Sequence, residues 1–88
     1  MGSPAEMKID DIEKIILQVV DEALAIGPGY AQEGYVIRTT WEKIGSPPGV
    51  EAQQRILDVW YRLLREGKIV WGYDMANPGA PFFHKPVS

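Results

Sequence analysis

Apolar residues recur at helical spacing from Asp10 to Ile26, at Ile12, Ile15, Ile16, Val19, Val20, Ala23 and Leu24. That period predicts an amphipathic helix. Asp10 followed by Glu13 has the form of a capping box, and Gly27-Pro28-Gly29 stops the helix sharply. Leu17 and Ile26 widen the apolar sector, as in a central helix packed against more than one neighbour. Tyr30 to Gly34 reads as a loop, and Tyr35-Val36-Ile37-Arg38 as a short β-prone run. Thr39, with Glu42 three residues on, marks the start of a second, short helix that carries Trp41 and Ile44 and ends at Gly45. Ser46-Pro47-Pro48-Gly49 is a rigid turn, and either proline suits the first turn of the following helix.

The third helix, about Val50 to Glu66, has the clearest pattern. At about 100° per residue, Ala52, Ile56, Leu57, Val59, Trp60, Leu63 and Leu64 gather on one side. Glu51, Gln54, Arg55, Asp58, Tyr61, Arg62, Arg65 and Glu66 gather on the other, and only Gln53 intrudes. Gly67 suits the C-terminal cap. Two aromatic runs, Ile69–Tyr73 and Phe82–Lys85, flank the turn-rich stretch around Asn77-Pro78-Gly79, which predicts a hairpin with a long loop. The expectation is an α+β fold: a small three-helix bundle with a C-terminal two-stranded β-hairpin, and room for a third short strand at 35–38.

With 88 residues the chain fits one small domain, and 45% hydrophobic with 24% charged residues is a globular composition. Residues 1–8 read as a disordered tag or linker, with the native chain expected to start near Met7, and 9–86 as the domain. Without cysteine, disulfides, thiolate zinc sites and thiol nucleophiles are excluded, and the single histidine, His84, cannot supply a histidine cluster. No run reaches the roughly 20 apolar residues a membrane span needs. Nor does the N-terminus have the form of a signal peptide, and the expected location is intracellular. The net charge is −3, with a pI near 5.0, which weighs against a broad basic face for nucleic acid.

The element order, with "Thr39-Thr40-Trp41-Glu42-Lys43-Ile44-Gly45", a turn, and then the helix running into "Glu66-Gly67-Lys68-Ile69", resembles the winged helix-turn-helix superfamily. The likeness covers nearly all of the chain from Asp10 onward; the Pro-Pro-Gly connection departs from the tightest form of that turn. Winged helices serve in DNA binding, RNA binding and protein assembly, so the fold does not fix the function.

In the DNA mode that the resemblance implies, the third helix enters the major groove of a double strand. Gln54 and Arg55 are chemically able to read bases; Lys43, Arg38, Arg62, Arg65 and Lys68 would hold phosphates, with His84 and Lys85 as contacts of the wing. The alternative is an ordinary solvated face, on which Glu51, Asp58 and Glu66 offset the arginines. The hairpin tip from Asp74 to Pro81 holds one acid and no base, which suits a protein partner or a homodimer at least as well. Trp41 and Trp60 fall at core positions, and one of the adjacent Phe82 and Phe83 is expected to be exposed as an anchor. No acid–base pair, phosphate loop, metal cluster or nucleophile with its base is recognisable. The sequence therefore predicts a binding protein with no cofactor, no metal and no small-molecule ligand. The first reading is a DNA-binding domain, regulatory or part of a larger nucleic-acid-associated protein; the alternative is a protein-interaction or dimerisation module without DNA binding.

Overall fold

The computed structural model describes residues 9–26 and 31–87. The tag or linker expected at 1–8, and Gly27, Pro28, Gly29 and Tyr30, lie outside the described residues. Six elements follow in order: α1 (Ile9–Ile26), β1 (Ala31–Gln32), α2 (Glu33–Lys43), α3 (Glu51–Arg65), β2 (Val70–Trp71) and β3 (Phe82–His84). They make a small α+β fold of three helices and a three-stranded antiparallel sheet with strand order β1-β3-β2. The hairpin is therefore not two-stranded alone. Ala31 pairs with Phe83 across β1 and β3, and Trp71 pairs with Phe83 across β2 and β3.

Several expectations about the middle of the chain are corrected. The loop expected at 30–34 gives way, from Ala31 on, to β1 and the start of α2. There is no strand at 35–38; the third strand is Ala31–Gln32, and Tyr35 to Arg38 lie in α2. Nor does the second helix begin at Thr39, because α2 starts at Glu33 and carries Thr39 and Thr40 in its interior. Packing decides this against local propensity. Val36, Thr40 and Ile44 are buried while Arg38 and Glu42 between them are exposed; a helix allows that, whereas a strand would put all five on one face. The first turn of α2 is held by the sheet, since the Glu33 N–H donates to the Pro81 carbonyl at 2.8 Å. The prolines do not open α3 either. Its N-cap is Val50, and Pro47 and Pro48 stay in the connection.

Both α2 and α3 close in the same way. Ser46 N–H donates to Trp41 O and Gly45 N–H to Glu42 O, each at 3.0 Å; Lys68 N–H donates to Leu63 O at 3.0 Å and Gly67 N–H to Leu64 O at 3.2 Å. These are Schellman closures, with Gly45 and Gly67 left-handed at φ 98° and 74°. The core takes Ile12, Ile16, Val19 and Val20 from α1, and Ile56, Val59, Trp60 and Leu63 from α3. Trp60 meets Phe83 edge-on with ring centroids 5.2 Å apart, and Trp71 at 6.2 Å, so the sheet is keyed to α3 through aromatic packing.

Candidate functional site

The exposed side of α3 carries Gln54, Asp58, Tyr61 and Arg65, spaced at i, i+4, i+7 and i+11 along one stripe. Beside it, the cations assigned to phosphates are largely engaged within the fold. Arg62 Nη2 donates to Glu13 Oε1 at 3.0 Å, and its Nε lies 3.9 Å from Glu66. Lys68 Nζ is 3.5 Å from the same Glu13 oxygen and 3.7 Å from Glu66. Arg55 sits 3.7 Å from Glu51, one turn before it on α3. Lys43 of α2 lies 3.7 Å from Glu22 of α1, and Lys85 donates to Asp21 at 2.8 Å. Of the assigned cations, only Arg38 and Arg65 have no ion pair among the described residues, and they stand on different helices.

Glu13 is the centre of this arrangement. The Arg62 hydrogen bond holds its carboxyl below the usual carboxylate range, partial burial opposes that, and the charge of Lys68 adds to the lowering. A phosphate approaching Arg62 or Lys68 meets a carboxylate already seated between them.

The loop between β2 and β3 is built without a cation. Asp74 Oδ1 accepts from the N–H groups of Ala76 at 3.0 Å and Asn77 at 2.7 Å, and from Asn77 Nδ2 at 3.0 Å, closing an Asx turn. Gly72 is left-handed at φ 103°, and a Cβ there would lie 2.6 Å from Pro78 O. His84 Nδ1 donates to the Gly72 carbonyl at 2.6 Å, so that nitrogen is committed to the base of the loop. Phe83 is fully buried and Phe82 half-buried. Neither is the exposed anchor expected; among the described residues the exposed aromatic side chains are Tyr35, Tyr61 and Tyr73.

A cleft of about 330 Å³ opens between α2 and α3, lined by Gly34, Ile37, Arg38 and Trp41 on one side and Gln53, Ile56 and Leu57 on the other. Each side is one helical stripe, at i, i+3, i+4 and i+7 on α2 and at i, i+3 and i+4 on α3. The Trp41 indole N–H donates to Pro47 O at 3.1 Å, which fixes the ring against the connection between the helices. Sequence reasoning missed this cleft, because reading residues 35–38 as a strand breaks the α2 stripe in two. Its signal was present in the spacing of Gly34, Ile37, Arg38 and Trp41.

Among the described residues no helix is long and apolar enough to cross a membrane, and no group of three or more metal-ligating side chains converges. No family model, curated protein or solved structure matches the chain.

Proposed function

We propose that this domain is a winged helix used for protein–protein contact. The observation that carries the reading is the pairing of Arg62, Lys68, Lys43, Lys85 and Arg55 with acids of the same fold. Duplex DNA is bound chiefly by neutralising phosphates with cations, and each neutralised phosphate releases counterions. A cation held within 4 Å of a carboxylate contributes little field at the distance of a phosphate. The net charge of −3 and the baseless hairpin loop act in the same direction. An apolar cleft between two helices, by contrast, is a surface that protein partners use.

Titration of labelled random duplex DNA at low and moderate salt tests the choice. The protein-contact reading expects no binding that falls steeply with salt; such binding would overturn it.

A second reading, DNA recognition by α3, is favoured by one observation: Gln54 is exposed on the first half of that helix, with Arg55 beside it. In that case Arg55→Ala changes sequence preference, while Arg65→Ala weakens all sequences alike.

A further inference from the structure

We propose that the cleft between α2 and α3 receives an amphipathic helical segment of a partner protein, with apolar anchors in the cleft and a carboxylate on Arg38. This rests on the protein-contact reading and names the partner's chemistry. The accessible walls are Ile37, Trp41 and Leu57, with the fully buried Ile56 behind them. Arg38 is the one charged residue of that lining; it is exposed and has no ion pair among the described residues. Elsewhere the cations of α2 and α3 are mostly matched to acids within the fold, so an unmatched guanidinium beside an apolar cleft selects a ligand that brings its own carboxylate.

The size of the cleft sets the shape of that ligand. From Gly34 to Trp41 the α2 stripe runs roughly 10 Å, two helical turns. A helix laid there presents anchors at i, i+3, i+4 and i+7. Trp41 is already held by Pro47, so this part of the wall needs no ordering on binding. Gly34 closes the stripe without a side chain, and a Cβ built on it meets nothing within 4 Å. That position leaves one end of the cleft open.

Gly34 also supplies the test. Its backbone is helical, so Gly34→Leu adds a side chain on the cleft-lining stripe without strain, and a melting temperature at or above that of the wild type verifies the fold. The full chain, labelled with 15N, is titrated with two blocked helical peptides of about 15 residues. Both carry leucine anchors; one is flanked by glutamates and the other by lysines. The glutamate peptide should shift the Trp41 indole N–H and leave that of the fully buried Trp60 in place. Arg38→Glu should weaken its binding roughly fivefold, and Gly34→Leu should abolish the Trp41 shift.

Equal affinity for the two peptides, or unchanged binding by Gly34→Leu, overturns the proposal. So does self-association of the wild type that Gly34→Leu removes, because the occupant is then a second copy of this chain. A peptide that shifts Tyr61 or the hairpin instead of Trp41 overturns the cleft and leaves the protein-contact reading standing. Salt-dependent binding of duplex DNA, with neither peptide bound, overturns both.

Discussion

Arg62 near the end of α3 donates to Glu13 in the first half of α1 at 3.0 Å, across 49 positions of sequence. The bond ties the two helices together at the end of the bundle where α3 turns toward the sheet. It also takes up a side chain that a surface reading of α3 would give to a phosphate. Both partners are mostly shielded, with 30% of the Arg62 side chain and 19% of the Glu13 side chain exposed. The pair therefore holds its geometry better than a fully solvated one.

Glu13→Gln should destabilise the fold by about 1 kcal/mol at neutral pH, as a charge-assisted hydrogen bond in a partly shielded site implies. The pH dependence follows from the lowered Glu13 carboxyl. A depressed folded value means the unfolded chain binds the proton more readily, so stability rises with pH across that interval. The contribution is complete above the ordinary glutamate value of about 4.3 and is lost as pH falls through the lower folded one. Urea unfolding across the acid range should show this slope in the wild type and a flatter one in Glu13→Gln. Equal slopes would mean that Arg62 does not hold the carboxylate.

Thr40 is fully buried, and among the described residues its hydroxyl has no hydrogen-bond partner. An unmet buried hydroxyl costs on the order of 1–3 kcal/mol. Thr40→Val keeps the shape and removes the oxygen, so it should stabilise the domain by about 1 kcal/mol. A loss of stability in thermal melts would place an acceptor, such as a bound water, at that oxygen.

Gly72→Ala should destabilise the hairpin. The new Cβ would lie 2.6 Å from the Pro78 carbonyl oxygen, and the φ of 103° disfavours any side chain. A cost of more than about 1 kcal/mol is expected, together with faster hydrogen exchange at the Tyr73 N–H, which donates to the Asn77 carbonyl at 2.8 Å. Wild-type exchange and stability would show that the loop closes without this contact.

Gly34→Ala should do the opposite. With open space around the Cβ and a helical backbone, it should stabilise α2 by roughly 0.5–1 kcal/mol in chemical denaturation. A destabilised variant would mean that the start of α2 is not helical in solution.

α1 and α3 were legible because the helical period runs through each almost unbroken, and the hairpin because two aromatic runs flank the turn residues around Asn77-Pro78-Gly79. α2 was not. Tyr35, Val36 and Ile37 have strand propensity, and Thr39 with Glu42 imitates a helix start, so local cues outvoted the four-residue spacing of Val36, Thr40 and Ile44. The cost was functional as well as structural, since half of the cleft wall lies on the misread residues. Gln54 and Arg65 were placed on the exposed side of α3 correctly. What no spacing could reveal was that Arg62 meets Glu13 and Lys85 meets Asp21. Those partners are brought together only by the packing of α1 against α3 and the sheet.

The most direct test compares the wild type with a triple variant, Glu22→Gln, Glu51→Gln and Glu66→Gln, in titrations of random duplex DNA from low to moderate salt. These acids lie against Lys43, Arg55, and Arg62 with Lys68. The account predicts no salt-dependent binding by the wild type, and its appearance in the variant as Lys43 and Arg55 are released and Arg62 and Lys68 keep Glu13 alone. Steep salt-dependent binding by the wild type itself would contradict the claim that the fold has spent Lys43, Arg55, Arg62, Lys68 and Lys85 on its own carboxylates.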